Sequence, residues 1–306
     1  MAALRLPAGM RVFERGWLSS NNILFCGPGE STLIDSGYLT HAAQTLALVE
    51  HALDGRPLAR LINTHLHSDH CGGNAALQTR YACHTTIPAA EADKVRVWDE
   101  AALSYRATGQ QCARFGFDAT LAAGEQLDLG GLRWQALGAP GHDPHALLFY
   151  CAAEGILISA DALWQNGFGV IFPELEGESG FAEAGATLAL IDTLDIRLVI
   201  PGHGAPFTDV KAALARAFSR LDYLQADPVR NAENAVKVML KFLLLERQRL
   251  ALAALPAMFE CNPVIDSARR RYLDKNAAEL ADWAVQALVR AGAARRDGEY
   301  LLNYDM

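Results

Sequence analysis

Apolar residues in the first part of the chain occur in short runs that Gly, Pro, Ser and Asn separate, a pattern typical of successive strands joined by turns. A helical pattern in HAAQTLALVEHAL interrupts them. A second helix is predicted to begin at Ser68 or Asp69 and to run through NAALQTRY, because Ser and Asp are good N-caps. The strand-like runs are RVFERG, NNILFCGP, STLIDSG and LARLINTH.

The middle of the chain alternates hairpin signals with helical ones. The segment 89–108 is mixed and predicted to be mostly helical. A Gly-Gly turn divides EQLDLGGLRWQAL into two strands, and Glu154 and Gly155 take the same place in ALLFYCAAEGILISAD. The helical stretch FAEAGATLALIDTL then leads into a buried strand, RLVIPGHG. Hairpins mixed with strand-helix alternation predict an α/β protein with a mixed sheet and helices outside it.

The last third of the chain has a different character. Asp227 and Pro228 follow a long helical segment and make a plausible boundary, so the chain is divided into domains 1–227 and 228–306. The pattern of the second part predicts helices followed by a hairpin with its turn at Asp297 and Gly298. This order of elements loosely resembles a winged-helix module. It carries 12 Lys and Arg against 10 Asp and Glu, or +2.

Composition and charge narrow the class of protein. The 306 residues carry a formal charge of -8, which disfavours general nucleic-acid binding because phosphate affinity rests on clustered Lys and Arg. The N-terminal residues lack a secretory pattern, and the longest apolar region is too charged to span a membrane. Six scattered cysteines without CxxC pairs suit reduced thiols. A cytoplasmic protein with no membrane partner is expected.

The stretch THLHSDHCGG concentrates metal-binding side chains at the end of a predicted strand. His65 and His67 are two residues apart and point to the same side, so they can bind one metal ion. Asp69 and His70 lie where the chain has turned into a helix, and can bind a second ion nearby. Imidazole with carboxylate suits Zn first and then Fe or Mn.

More ligands are needed to complete a site for two ions, and three later strand ends provide them. His142 follows a Pro-Gly turn and is the natural third ligand of the ion held by the first two histidines. Asp161 ends an apolar strand, where a carboxylate can bridge two ions. His203 lies on a second Pro-Gly turn and would complete the other ion with Asp69 and His70.

These residues carry a family resemblance. The HxHxDH pattern of THLHSDH, followed in order by PGHD, SAD and PGHG, resembles the metallo-β-lactamase superfamily and its glyoxalase II branch over about residues 12–207. The resemblance implies an αββα four-layer sandwich with a dinuclear metal site, usually two Zn²⁺ ions, between the two sheets. It departs from glyoxalase II at His142-Asp143-Pro144-His145, which is one residue shorter than the pattern of that branch. This departure weakens the expectation that the substrate is a glutathione thioester. It also leaves the role of His145 open.

The expected mechanism is metal-dependent hydrolysis of a small molecule. Two ions bridged by Asp161 and a water would lower the pKa of that water toward about 7, and Asp69 would orient the resulting hydroxide and accept its proton. The expected substrate is a small ester, thioester, lactone or lactam. Five residues are candidates for the substrate pocket: Tyr105, Trp164, Asn166, Phe168 and Phe172.

Three other functions remain open. Some superfamily members join this domain to a winged-helix-like tail in phosphodiesterases or ribonucleases, but the acidic charge disfavours nucleic acid here. The second alternative is an iron-dependent sulfur dioxygenase. The last alternative is a binding protein without enzymatic activity. The tail could also cover the site or form a homodimer through the stripe Leu240, Leu243, Leu244 and Leu255, although the stripe also suits the tail's own core.

Overall fold

A computed structural model describes residues 5–27 and 29–304. Its first sheet has six strands in the order in which they occur in the chain. The first three strands are antiparallel neighbours, and each later strand is parallel to the one before it. These strands are β1 (Met10–Phe13), β2 (Asn22–Phe25), β3 (Thr32–Ile34), β4 (Arg60–Ile62), β5 (His84–Pro88) and β6 (Ala119–Leu121).

The second sheet has five strands, and strands that follow one another in the chain are neighbours in the sheet. All its pairs are antiparallel except the last, in which β10 and β11 are parallel. Both predicted hairpins are confirmed here, the first pairing β7 with β8 and the second pairing β9 with β10. The strands are β7 (Gln126–Leu129), β8 (Leu132–Gly138), β9 (Leu147–Cys151), β10 (Ile156–Ala160) and β11 (Leu198–Pro201).

Helices cover the outer faces of both sheets, so the strands form the two inner layers of a four-layer sandwich. On the first sheet, residues of α1 and α3 pack against Leu24, Leu33 and Leu61. On the second sheet, α7 and α8 pack against Leu148 and Leu157. The helices up to this point are α1 (Ala42–Leu53), α2 (Ser68–Cys71), α3 (Asn74–Tyr81), α4 (Ala92–Val97), α5 (Tyr105–Thr108), α6 (Phe172–Glu176), α7 (Phe181–Asp192) and α8 (Val210–Gln225).

The inner faces of the two sheets share one apolar core. Phe25 and Ile34 of the first sheet meet Trp134 and Phe149 of the second, and all four are almost fully buried. Phe25 and Trp134 pack edge to face with ring centroids 5.5 Å apart. Burial of such large side chains from both sheets fixes how the sheets stack, and therefore which strand ends meet at the rim. The αββα architecture expected from the resemblance is confirmed.

The C-terminal residues form helices and a terminal hairpin, as the sequence pattern predicts, and a short strand between the first two of these helices adds a third strand to the hairpin. The three strands are antiparallel in the order β12-β14-β13. The stripe Leu240, Leu243, Leu244 and Leu255 is buried in a core that consists mainly of residues of this part and also includes Val170 and Leu175. The elements are α9 (Val229–Arg247), β12 (Arg249–Ala251), α10 (Leu255–Glu260), α11 (Pro263–Tyr272), α12 (Ala277–Arg290), β13 (Ala294–Asp297) and β14 (Tyr300–Asn303). The division into two domains at 227 stays a prediction.

One predicted helix is wrong in its extent. The helix expected from Ser68 through Tyr81 is two helices, α2 and α3, separated at Gly72 and Gly73. Here the backbone runs against a neighbouring loop, because a Cβ on Gly72 would lie 2.9 Å from the carbonyl carbon of Tyr38 and one on Gly73 would lie 2.5 Å from the Ser36 oxygen. The glycines are therefore required by close approach, and the helix that carries Asp69 and His70 is a single short turn.

Two expectations from composition can also be compared with the described residues. Within the ranges 5–27 and 29–304, no helix combines the length and the apolar character that crossing a membrane requires. All six cysteines are free thiols. A homodimer stays a prediction, and the leucine stripe that suggested one lies inside the chain's own core.

Candidate metal centre

Four strand ends meet at one rim of the sandwich and carry the predicted ligands to it. His65 and His67 follow β4, and His142 follows β8. Asp161 directly follows β10, and His203 lies just beyond β11. Because the two sheets pack face to face, these segments, far apart in sequence, lie beside one another.

The seven predicted ligands fall into the two groups that the spacing predicts. The nitrogens of His65, His67 and His142 lie within 4.8 Å of one another. In the second group, the corresponding atoms of four residues also lie within 4.8 Å of one another. That group consists of Asp69, His70, Asp161 and His203. The structure thus brings together all seven side chains, three in a group of histidines and four in a group that contains both carboxylates.

Hydrogen bonds around Asp35 fix the ring orientation of one histidine in each group. Nδ1 of His70 donates to Oδ2 of Asp35 across 2.8 Å. The hydroxyl of Thr64 donates to the same carboxylate oxygen at 2.8 Å and accepts from Nδ1 of His65 at 3.1 Å. With both Nδ1 atoms used as donors, the Nε2 atoms of these histidines carry the lone pairs of the neutral rings, which is the form that binds a metal ion.

The buried Nε2 atoms of His65 and His70 have no hydrogen-bond partner in the part of the chain that the structure describes. A buried polar atom without a partner costs about 1–3 kcal/mol. A metal ion would satisfy these lone pairs. The donor set of imidazole nitrogens and carboxylate oxygens suits Zn, Fe or Mn and does not suit an ion that prefers oxygen alone. The residues present therefore fit a pair of transition-metal ions.

His142 is oriented by the loop that follows Asp161. Its Nδ1 donates to the carbonyl oxygen of Val170 across 2.6 Å, so its Nε2 is an acceptor. That Nε2 lies 2.8 Å from Nδ1 of His67. The other ring nitrogen of His67 faces Oδ2 of Asp143 at 3.6 Å. The neighbouring His145 lies apart from both groups, with its Nε2 3.6 Å from Glu91.

Asp161 lies between the two groups. One of its oxygens is 3.5 Å from Nε2 of His70, and the other is 3.4 Å from Nε2 of His142. The preceding Ala160 has a positive φ of 43°, which is strained for a residue with a Cβ. This turn at the end of β10 directs the carboxylate toward both groups, and Nε1 of Trp164 donates to it at 3.2 Å.

The glycine before His203 is required by the approach of Asp161. A Cβ on Gly202 would collide with Oδ1 of Asp161 and would lie 3.0 Å from the carbonyl carbon of Ala160. The loop is clamped from the other side, because Nδ2 of the buried Asn21 donates to the carbonyl oxygens of Pro201 and Gly204. The PGHG sequence is therefore a close-packed turn that fixes the histidine.

The charge state of the acidic group follows from its surroundings. Burial alone would raise the pKa of Asp69, but the hydrogen bond from His203 and the charge of His70 outweigh burial and lower the pKa. The pKa of Asp161 is lowered well below its usual range, since nearby histidines outweigh the effect of burial. Both carboxylates are therefore ionised near neutral pH.

The buried histidines differ from one another in the direction in which their pKa values are shifted. Burial, with the charges of neighbouring histidines, lowers the pKa of His65 well below its usual range and that of His142 to about 4. Burial also opposes protonation of His70, but the carboxylates of Asp161 and Asp35 outweigh it and raise the pKa of that imidazole well above its usual range. Without metal, the histidine group is uncharged at these two positions, while His70 holds a proton.

A mostly apolar cavity opens above both groups. Its volume is about 110 Å³, which is small beside the ~300–1,000 Å³ typical of sites that enclose a drug-sized ligand. It therefore holds the reacting part of a molecule better than a whole one. Three of the predicted pocket residues, Trp164, Phe168 and Phe172, line it.

The other two predicted pocket residues, Tyr105 and Asn166, do not line this cavity. Tyr105 is buried beside α2, where its hydroxyl lies 3.1 Å from Sγ of Cys71. Asn166 is exposed on the turn between Trp164 and Gly167. The prediction of Asn166 rests on its place in the loop directly after Asp161, and that of Tyr105 on its place in an aromatic-rich segment, but the chain turns both side chains away from the cavity.

Several cavity residues are absent from the sequence predictions. Trp17 stacks on the ring of His203 with centroids 5.3 Å apart and an interplanar angle of 8°. One face of α9 supplies a further wall through Asn234, Val238 and Phe242. The spacing of four residues between these three is a helical signal that could mark a shared face, whereas an isolated Trp17 offers none.

Three comparisons with known proteins agree with this geometry. The family model described as the metallo-beta-lactamase superfamily matches residues 15–203. A hydroxyacylglutathione hydrolase of Methylococcus capsulatus is 31% identical over 126 residues, which are 40% of this chain and 42% of that protein. One of Synechococcus sp. (strain JA-2-3B'a(2-13)) is 29% identical over 166 residues, or 53% and 57% of the two chains. This chain thus spans about half the length of these curated relatives.

A solved structure extends the likeness to the C-terminal part. A metallo-beta-lactamase family protein from Thermus thermophilus superposes with a TM-score of 0.59 at 21% identity, covering 98% of this chain and 100% of that one. At that identity the match shows a shared fold. The family model covers more than half of the chain and includes every residue of both ligand groups. The chain belongs to the metallo-β-lactamase superfamily.

Proposed function

We propose that the protein is a metal-dependent hydrolase that cleaves a small ester, thioester, lactone or lactam at a dinuclear centre. The observation that carries the proposal is the pair of adjacent ligand groups, whose buried Nε2 atoms at His65 and His70 lack partners among the described residues. The curated relatives are named hydroxyacylglutathione hydrolases, which supports an acyl substrate. The acyl class rests on those names, and the small cavity supports a small reacting group.

Seven residues would hold the two ions, with three histidines on one side and two carboxylates with two histidines on the other. When bound, such ions polarise an acyl oxygen and acidify water. Zinc is the proposed metal, with Fe and Mn as alternatives that the same donors accept. The ligands are His65, His67, His142, Asp69, His70, Asp161 and His203.

The chain's own groups have separate tasks in this proposal. Asp69 is buried, ionised and lines the cavity. It can therefore orient a water molecule and accept its proton. Asp161 joins the two groups, and Trp164 holds its carboxylate through the indole N–H. Phe168 and Phe172 exclude bulk water from the cavity, which strengthens electrostatic interactions inside it.

Nucleic acid fits this cavity poorly. Most of its accessible surface is apolar, and among the described lining residues the single Lys or Arg is Arg220. Recognition of a phosphate backbone relies on several such cations. The proposed partner is therefore a small molecule. The proposed location is the cytoplasm, because free thiols persist there.

Metal analysis and a substrate panel test the proposal. Protein purified without added metal is analysed for Zn, Fe and Mn, and is then assayed with a generic ester, lactone, thioester and bis-nitrophenyl phosphate. We expect about two ions per chain and turnover of an acyl substrate, with a fall of about 10²–10⁴-fold in Asp69→Asn. Asp192→Asn, at an exposed position of α7, is the matched control. Turnover of the phosphodiester alone, or unchanged turnover in Asp69→Asn, contradicts the proposal.

A further inference from the structure

The cavity contains one cation in addition to the proposed metal ligands. Arg220 lies on α8 and lines the cavity together with Asp161 and His203. Every other ionisable side chain in the described lining belongs to the two ligand groups. Arg220 is therefore the charged residue that remains available to a bound molecule once the ligands are assigned.

The half-buried guanidinium of Arg220 has lost part of its hydration without gaining an acidic neighbour. Its Nε is buried and has no hydrogen-bond partner within residues 5–27 and 29–304. Burial lowers the pKa of Arg220, and no carboxylate opposes that effect. An arginine remains protonated even so. Arg220 is half-buried and lines the cavity without an ion pair among the described residues, so its guanidinium is the cation there that an anionic group of a bound molecule can pair with.

The loop after Asp161 is shaped around this side chain. The guanidinium carbon lies 5.7 Å from the ring centroid of Phe168. A Cβ on Gly167 would lie 2.9 Å from Cδ of Arg220, so the glycine makes room for the arginine stem. The same Gly167, with φ of 129°, accepts a hydrogen bond from the backbone N–H of Trp164 across 2.7 Å. These contacts hold Arg220 against the cavity wall.

Another arginine on the same helix shows the contrast. Arg216 lies one turn earlier and is exposed, and its Nε donates to the carbonyl oxygen of Gln165 across 2.8 Å. It does not line the cavity above the metal centre among the described residues. Arg216 thus serves the structure of the loop, whereas Arg220 lines the cavity and its Nε has no hydrogen-bond partner among the described residues.

We propose that Arg220 binds a carboxylate of the substrate close to the acyl bond that is cleaved. The inference rests on the proposed hydrolase function and narrows it to acyl compounds that carry a carboxylate. A guanidinium suits this role, because its planar set of N–H donors matches the two oxygens of a carboxylate. The apolar walls suit the hydrocarbon part of such a molecule.

Binding without turnover provides the first test. Phenylacetate and phenylacetamide are titrated by calorimetry into the full-length protein with its metals. Wild type and Arg216→Gln should bind the carboxylate more tightly than the amide. Arg220→Gln should lose about tenfold in affinity for phenylacetate, as expected for one charge-assisted hydrogen bond. Equal phenylacetate affinity in Arg220→Gln and Arg216→Gln, or no preference for the carboxylate in wild type, overturns the proposal.

Hydrolysis supplies the second test and separates the two proposals. Thioesters of 3-mercaptopropionate and 3-mercaptopropionamide with the same acyl group are compared by kcat/KM. The preference for the anionic substrate should fall about tenfold in Arg220→Gln, mainly through KM, and less in Arg220→Lys, which keeps the charge. A wild type that binds phenylacetate through Arg220 but hydrolyses neither thioester contradicts the hydrolase proposal alone. Thermal unfolding midpoints identify a variant that does not fold, and Arg220→Lys then replaces it.

Discussion

Nδ1 of His70 donates a hydrogen bond to Oδ2 of Asp35 across 2.8 Å, and both side chains are almost completely buried. The bond fixes Nε2 of His70 as the atom that faces Asp161. Asp35 also accepts hydrogen bonds from the backbone N–H and the hydroxyl of Thr64. A carboxylate outside the proposed ligand set therefore orients ligands in both groups.

Replacing Asp35 should weaken metal binding without removing a ligand. Asp35→Asn keeps the shape but removes the charge that holds the N–H of His70, and loss of such a partner typically costs about 10–100-fold in metal affinity. Competition with a chromophoric chelator measures this affinity. Asp54→Asn is the matched control, since Asp54 also has a positive φ, 51° against 56°, but is exposed. Equal affinities in the two variants contradict the role given to Asp35.

A methyl group at Gly202 should disrupt the centre. In Gly202→Ala the new Cβ would collide with Asp161, so that carboxylate must move away from His70 and His142. We expect fewer than two ions per chain by elemental analysis and a lower midpoint of thermal unfolding. Gly116→Ala is the control, because a Cβ there meets nothing within 4 Å. A full metal complement in Gly202→Ala would show that the loop can relax at little cost.

The two groups should take up metal with different pH dependence. The pKa of His70 is raised, so a metal ion must displace a proton from it, and that competition grows as pH falls. His142, with a pKa of about 4, and His65, whose pKa is also lowered, are already uncharged near neutral pH. Lowering the pH from about 8 to about 6 should therefore release the ion of the acidic group first. Metal content after dialysis, combined with proton release in calorimetry, measures this order.

Simultaneous loss of both ions over that pH range would contradict the assignment of the raised pKa to the acidic group. In Asp35→Asn the pKa of His70 should be lower, because one of the carboxylates that favour its protonation has been neutralised. Fewer protons should then be released when metal binds. This second measurement uses the same calorimeter and does not depend on activity.

Truncation of Trp134 should destabilise the sandwich. The side chain is fully buried between the sheets, and its Nε1 donates to the carbonyl oxygen of Leu129 across 3.3 Å. Trp134→Ala should lower the free energy of unfolding by about 3–5 kcal/mol, as measured by urea denaturation. Trp134→Phe should cost less, because it keeps an aromatic ring in contact with Phe25. Equal losses in the two variants would contradict a packing origin.

The sequence predicts the residues of the centre better than its surroundings. Short-range signals, such as the spacing in THLHSDH and the two PGH turns after apolar strands, mark all the side chains that the fold brings together. Trp17 carries no such signal, and Asp35 follows an apolar strand just as Asp161 does, but its contact with the motif depends on how that strand packs beside it. The break between α2 and α3 likewise depends on a neighbouring backbone that local propensity does not describe.

The cavity wall shows the same limit more clearly. Trp164 and Phe168 are close in sequence to Asp161 and line the cavity as predicted, but Asn166 lies in the same loop and is exposed. Proximity along the chain selects a loop and does not determine which of its side chains face the cavity. Only the tertiary contacts of each residue decide that.

The wall formed by α9 has an evolutionary consequence. Its cavity-facing residues, Asn234, Val238 and Phe242, follow the last proposed ligand, His203, by some thirty positions or more and lie on a helix that carries none of the proposed ligands. Drift or recombination in that stretch can therefore reshape what the protein accepts while the reactive centre is inherited unchanged. Homologues that share every ligand but differ along this helix are expected to diverge in selectivity before they diverge in chemistry.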